Sequence, residues 1–318
     1  PLDRDYKYTA NLGSAEFRGY ARDPGGGLMG DPLPSDPIPL QELLRSRMWR
    51  YLQSFARYDF QMTLFQPVGG MDMIGKAFAR EVGDLIRYNS KVTQIQQNGS
   101  GVTVSYVDTA SPSAVQQATA DWCICTIPLP ILSQLPLDVS GPMKNAIDSL
   151  PYAASVKVGL QFKRRFWEED EAIYGGISYT DLPIRNIGYP NYGFNRGGRG
   201  VLLGAYLYEG ANSFEFTSMT PAARVASPVE FGAKIHPQYK SEFENGVAVA
   251  WHRVPFTLGC AGEWTEAGRA QHYRNLCQID GRIALAGEHA SQLPAWQEGA
   301  ILSALDAITR LHERVVKT

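Results

Sequence analysis

Hydrophobic and polar positions follow clear periods along most of this chain. Lys91-Val92-Thr93-Gln94-Ile95 and Val102-Thr103-Val104-Ser105-Tyr106 flank Asn98-Gly99-Ser100-Gly101, and two β-rich runs around Asn-Gly predict a hairpin. Residues 118–127 read as the next strand, closed by Pro128. Residues 156–162 alternate, as do residues 200–208, and residues 247–252 predict another short strand. Helical signals begin at Pro39, which suits a first turn, and run to about Tyr58; a second helix is predicted over residues 72–82. Near the end, the short apolar run Ile283 to Ala286 stops at Gly287-Glu288. A loop carrying Trp296 follows, and a helix opens at Gly299-Ala300. Ala300, Ile301, Ala304, Leu305, Ile308, Leu311 and Val315 recur at helical steps and predict one apolar face.

The grouping of these elements suggests two kinds of architecture. Residues 150–255 predict a mostly antiparallel sheet with helices on one side, distinct from an α/β part that the chain leaves near residue 130 and re-enters at residue 281. Residues 1–40, with Asp23-Pro24-Gly25-Gly26-Gly27 and a second Pro-rich stretch, read as an irregular wrap or linker.

Composition narrows the function classes. A chain of 318 residues fits one large or two ordinary domains. The net charge of −2 leaves no basic surplus to neutralise phosphates, which argues against a nucleic-acid or acidic-membrane partner. No apolar run has bilayer-spanning length. The first residue is not Met, which suggests cleavage or truncation upstream. Four cysteines are too few for a disulfide scaffold, and the Cys123/Cys125 spacing is not that of a zinc site; buried free thiols are expected. The five histidines show no metal-ligand spacing, so no metal is expected, and no Gly-x-Ser-x-Gly marks an acyl-transfer nucleophile. The acidic run Glu168-Glu169-Asp170-Glu171 reads as a solvated face. No Gly-x-Gly-x-x-Gly follows any strand, so the pyrophosphate-binding half of a dinucleotide fold is not in this sequence.

Several residues carry candidate chemistry. A strand end, the acidic Glu288, the aromatic Trp296 and a helix N-terminus together suit the polar end of a large cofactor. The carboxylate accepts from hydroxyls, and first-turn N–H groups donate to carbonyl or phosphate oxygens. The same spacing also fits the last βα unit of any α/β protein. Lys157 interrupts an alternating apolar strand and points either to solvent or toward a redox cofactor or bound water. Tyr206 lies mid-strand beside small residues, either packed or with its hydroxyl in a cavity. Trp251 and Trp296 suit either a core or a water-poor chamber of the kind hydride transfer requires.

These stretches resemble the flavin-dependent L-amino-acid oxidases of the wider flavin amine oxidase superfamily, in particular bacterial secreted and snake-venom forms. The matching segments are Pro67-Val68-Gly69-Gly70-Met71-Asp72, Lys91-Val92-Thr93 with Gly101-Val102-Thr103-Val104, and Cys125-Thr126-Ile127-Pro128. They continue with Phe166-Trp167-Glu168-Glu169-Asp170 to Tyr174-Gly175-Gly176, Thr180-Asp181-Leu182-Pro183, Gly287-Glu288-His289 and Ala295-Trp296-Gln297-Glu298-Gly299-Ala300. The resemblance implies an α/β (α+β) chain: a linker and helical region over 1–66, parts of a three-layer FAD-binding domain over 67–130 and 276–318, and a substrate-binding domain with a mixed or antiparallel sheet over 131–275.

It also implies roles. Val92 contacts FAD through its backbone, Glu288 hydrogen-bonds the ribityl chain, and Ala295, Trp296, Gln297, Glu298, Gly299 and Ala300 pass the isoalloxazine into the helix start. Trp251 lies near the flavin, and Lys157 holds a water close to flavin N5. Tyr206 binds the carboxylate of a small-molecule L-amino acid, Trp296 and Ala295 face its amino group, and Phe60, Gln61 and Ala261 line the side-chain pocket. The implied reaction is oxidative deamination to a 2-oxo acid, ammonia and hydrogen peroxide, in a secreted or periplasmic enzyme.

The sequence departs from the family by lacking its Gly-rich FAD fingerprint and the arginine that pairs with the substrate carboxylate. The chain is therefore expected to be the C-terminal part of a processed or truncated oxidase. Its partner would be an N-terminal chain or domain carrying the fingerprint, and the assembled enzyme a dimer. A decarboxylating, amide-forming flavin monooxygenase and a non-catalytic module on an oxidase fold are the alternatives.

Overall fold

The computed structural model describes residue 21 and residues 33–47, 65–208 and 210–317. The chain divides into two compact units: residues 1–57 with 154–251, and residues 58–153 with 252–318.

The first helix, α1 (Leu40–Ser46), ends where Arg47 adopts a left-handed conformation (φ 59°), and the rest of the helical stretch predicted to Tyr58 lies outside the described residues. Helix α2 (Asp72–Val82) matches its predicted bounds. The predicted hairpin forms from β1 (Ser90–Gln97) and β2 (Val102–Asp108), with a bulge between Val92 and Gln94. The Asn98 side chain closes its turn, accepting from the N–H groups of Ser100 and Gly101 at 2.8 and 3.0 Å. The single strand predicted over 118–127 is two strands. β3 (Val115–Ala120) extends the hairpin sheet, whereas β4 (Cys123–Cys125) leaves it and pairs elsewhere. The break falls at Asp121-Trp122. Helices α3 (Leu129–Leu132) and α4 (Gly141–Ser149) follow.

The other unit carries β5 (Val156–Phe162), α5 (Phe166–Glu169), β6 (Ile177–Tyr179), β7 (Asn186–Gly188) and β8 (Gly200–Leu207). Helices α6 (Gly210–Ser218), α7 (Pro221–Gly232) and α8 (Tyr239–Glu242) lead to β9 (Phe243–Ala250). Its sheet has the order β6-β7-β8-β5-β9 and is antiparallel throughout, as the alternation predicted. Along β5, Val156, Val158, Leu160 and Phe162 face the core while Lys157, Gly159 and Gln161 face the other way. The core is aromatic: Phe162 meets Phe166 and Tyr239 edge-on at 5.2 and 4.8 Å, beside the fully buried Trp167. The acidic run is only partly solvated, with Glu169, Asp170 and Glu171 half-buried. Glu168 is 3% exposed and accepts from the Arg165 guanidinium at 2.7 Å, and Arg164 binds Glu169 and Asp170. The preceding arginines make the burial of these carboxylates tolerable.

The chain then re-enters its earlier unit with α9 (Glu266–Leu276), β10 (Ile279–Asp280), β11 (Ile283–Leu285) and α10 (Gln297–Val316). Strand β11 lies between β10 and β4 and runs parallel to β4, pairing Ile283, Ala284 and Leu285 with Cys123, Ile124 and Cys125. Both faces of β11 are buried, as is usual for parallel strands. The cysteines are free thiols, but of the expected burial only Cys125 shows it in full, Cys123 and Cys277 being half-buried and Cys260 exposed; burial pushes the Cys125 thiol up to about 11, which makes it a poor nucleophile at neutral pH. Helix α10 opens two residues earlier than predicted, and the predicted apolar face is not the buried one. Gly299, Ser303 and Ala307 are buried, while Leu305 and Ile308 are 58% and 54% exposed. Gly299 lets the start of this helix approach the Ser291–Leu293 loop closely, while Leu305 and Ile308 project away.

Candidate functional site

The candidate residues fall into two groups, one in each unit. In the first, the chain turns two residues past β11 at Gly287, whose φ of 144° is open chiefly to glycine. A side chain there would also meet the His289 ring at 2.6 Å. A 3₁₀ turn over Glu288–Ala290 then aims Glu288 back across the unit. Its carboxylate accepts from the Gly262 N–H at 3.1 Å and from the Ala295 N–H at 2.9 Å. Ala295 is held in the left-handed region (φ 69°), a conformation costly for a residue with a Cβ and fixed here by that hydrogen bond.

The start of α10 is locked against the same loop. Gly287 N–H donates to the Ser303 hydroxyl at 3.2 Å, tying the strand end to the helix's second turn. Leu293 N–H donates to the Ser291 hydroxyl at 3.1 Å. A Cβ on Gly299 would fall 2.0 Å from the Leu293 carbonyl oxygen, so only glycine permits this approach. Trp296 holds the N-cap position and supplies no side-chain cap to the helix. Beneath Glu288, His289 is 3% exposed; its carbonyl accepts from the Trp264 indole at 3.0 Å, and its Nδ1 lies 3.0 Å from the Tyr152 hydroxyl. Burial lowers the His289 pKa to about 4, so the ring is neutral at physiological pH. Burial, and then the Glu288 charge, push the Tyr152 phenol well above its ordinary value.

These groups fit one end of a flavin nucleotide. Glu288 is only partly buried and its carboxylate has acceptor capacity beyond the two N–H bonds, suited to a ribityl hydroxyl. The uncapped first turn of α10, at Gln297, Glu298 and Gly299, offers N–H donors, and Gly287 and Gly299 keep the backbone free of side chains. Of the other predicted contacts in this unit, Val92 is half-buried at the β1 bulge, and Ala261 is buried with its carbonyl accepting from Ala153 N–H at 2.9 Å. Phe60 and Gln61 lie outside the described residues.

In the second group, β5 and β8 place Lys157 and Tyr206 directly opposite each other in register, on the sheet face turned from the core. The Lys157 ammonium sits 4.6 Å from the centre of the Tyr206 ring, a cation–π contact that orients both. Tyr208 meets the Tyr206 ring edge-on at 5.3 Å. Val249 of β9 flanks Lys157 on its other side. Trp251 begins the 3₁₀ turn after β9, half-exposed, its N–H donating to Ser155 O at 2.8 Å. Sequence reasoning singled out neither Tyr152 nor the Gly262 N–H; the signal for them was only the His beside Glu288. Among the described residues, no group of His, Cys, Asp and Glu side chains is arranged to hold a metal, and no helix is long and apolar enough to cross a membrane.

Comparison with known proteins places the chain among flavin-containing amine oxidoreductases. The chain is 31% identical over 292 residues to an L-amino-acid oxidase of Siganus canaliculatus, spanning 88% of this chain and 54% of that protein. It is 30% identical over 257 residues to an L-amino-acid oxidase of Gloydius halys, with 79% and 50% covered. The chain thus spans about half the length of the curated relatives it matches. The fold is similar to that of a putrescine oxidase variant (TM-score 0.65, 15% identity, 79% of this chain and 53% of that one). It is equally similar to cyclohexylamine oxidase from Brevibacterium oxydans (TM-score 0.65, 16% identity, 78% and 53%). A sequence profile for flavin-containing amine oxidoreductases matches residues 20–311, most of the chain, and the chain therefore belongs to that family.

Proposed function

We propose that this chain forms the C-terminal portion of an FAD-dependent L-amino-acid oxidase, secreted or periplasmic, whose N-terminal portion supplies the fingerprint missing here. The observation that carries the reading is the Glu288 carboxylate, fixed by the Gly262 and Ala295 N–H groups at the end of β11 and beside the uncapped start of α10. In this reading Glu288 accepts from the ribityl chain, residues 295–300 line the ring system, and Val92 supports the adenosine end through its backbone. When bound, FAD supplies hydride acceptance and reoxidation by oxygen.

The chain's own residues position the substrate. Tyr206 donates its hydroxyl to the amino-acid carboxylate, and Lys157, steadied over the Tyr206 ring, holds a water with its ammonium. Trp296 and the Ala295 carbonyl face the amino group, Trp251 excludes water, and Ala261 with Phe60 and Gln61 shapes the side-chain pocket. Little proton transfer by side chains is required, so orientation supplies most of the rate. The test is a peroxide assay across the L-amino acids on the intact source protein, with its absorbance spectrum and mass. Flavin bands and peroxide formation are expected, with a second polypeptide segment carrying Gly-x-Gly-x-x-Gly. A colourless protein that makes no peroxide contradicts the reading, and so does this chain alone being yellow and active.

A further inference from the structure

The sheet face that carries Lys157 and Tyr206 continues past them into an apolar gap, and strand register sets its shape. Val249, Lys157 and Tyr206 form one row across β9, β5 and β8, and Val247, Gly159 and Leu203 form the next. The two rows lie about 7 Å apart along the strands. Val247 is 65% exposed, and Val201, from the row beyond, is 51% exposed. Gly159 leaves the middle of its row without a side chain, between the Val247 and Val201 methyl groups.

The fold does not require that glycine. At the neighbouring bulge Gly204 is required, since a Cβ there would fall 2.3 Å from Leu160 Cδ1 in the core. A Cβ on Gly159 would meet only the Val247 and Val201 methyl carbons, at 3.7 and 3.8 Å, which are ordinary contact distances. Its backbone is not left-handed either. A glycine inside an interior strand costs stability, and one that neither conformation nor packing requires marks a close approach by something else.

Charge bounds the gap at both ends. Lys157 stands at one end. At the other the Glu244 carboxylate is already engaged, accepting from Gln161 Nε2 and Arg199 Nε, each at 2.7 Å. Besides Lys157, the residues of the two rows and Val201 carry no charge. Trp251, near the flavin in the function proposed above, reaches back to Ser155 and so lies on the opposite side of the Lys157–Tyr206 row from the gap. A side chain of leucine length or more extends from the first row toward the second, whereas that of alanine ends short of it. We infer that Gly159 is a specificity-determining residue and that the gap receives the side chain of a large, apolar L-amino acid whose carboxylate is held at Tyr206.

The inference rests on the oxidase reading, and its test separates the two. Steady-state peroxide formation is measured on the intact source protein with L-alanine, L-leucine, L-phenylalanine, L-lysine and L-glutamate. Wild type, Gly159→Val and Val247→Ala are compared, with the flavin absorbance and thermal midpoint of each. Wild type should favour L-leucine and L-phenylalanine in kcat/KM over the other three. Gly159→Val fills the gap with a residue suited to a strand and should lower the L-phenylalanine to L-alanine ratio of kcat/KM on the order of tenfold. Loss of folding or of flavin lowers both substrates together and leaves that ratio unmoved. Val247→Ala widens the gap and should raise the L-phenylalanine to L-leucine ratio, and it decides the question if Gly159→Val fails to fold. Wild type that prefers L-alanine, L-lysine or L-glutamate, or an unmoved ratio in either variant that folds, overturns the role of Gly159. Wild type that makes no peroxide from any of these amino acids overturns the oxidase reading itself.

Discussion

The two groups of candidate residues are built on different principles. Lys157 and Tyr206 sit on adjacent regular strands, fixed by antiparallel register and one cation–π contact, on a half-exposed sheet face. Glu288 sits in irregular backbone, fixed by hydrogen bonds from residues distant in sequence and by conformations that strain any residue but glycine. Register places side chains cheaply and tolerates exchange of neighbours. The loop site depends on each of its polar contacts, because a buried group deprived of its partner costs more than the bond contributed. Substitutions in the strand pair should therefore alter turnover and leave binding of the cofactor intact, and those in the loop site should do the reverse.

The largest expected effect separating the two is on stability in acid. His289 is neutral in the fold with a pKa of about 4, against an ordinary value of 6.5. Its contribution is fully present above pH 6.5 and is lost as pH falls toward 4, reaching up to about 3 kcal/mol. Denaturant unfolding at pH 7.5, 5.5 and 4.5 should show this loss, and His289→Asn should remove that part of it. Equal acid sensitivity in the variant breaks the assignment. Next in size, Lys157→Met in the intact enzyme should lower kcat on the order of a hundredfold while FAD remains bound, read by steady-state kinetics against flavin absorbance. Loss of flavin from that variant would erase the contrast between the two groups. Smallest, Tyr206→Phe removes one hydrogen bond to a charged group and should raise KM about tenfold with kcat changed less.

What the sequence revealed follows the same division. Strands β5 and β8, helix α2 and the Asn-Gly hairpin were legible because each is set by a local period or a turn residue. The split between β3 and β4 was not, because β4 takes its partner from β11, far along the chain. The burial of Glu168 escaped because a run of acids looks solvated until Arg165 is placed beside it. In α10 the periodicity was right and the buried face wrong: the helix packs through Gly299, Ser303 and Ala307, residues that carry almost no hydrophobic signal. Glu288 was visible through its place just past a strand, whereas Tyr152, more than a hundred residues earlier, meets its neighbour His289 only in the fold.

The most direct test of the central claim, that this chain carries one end of a flavin site centred on Glu288, is FAD affinity in Glu288→Gln. The substitution keeps the shape and removes the charge that the Gly262 and Ala295 N–H groups and the ribityl hydroxyl share. Titration of the deflavinated intact protein should show affinity reduced on the order of a hundredfold, with the apoprotein still folded. An affinity within about twofold of wild type contradicts the account.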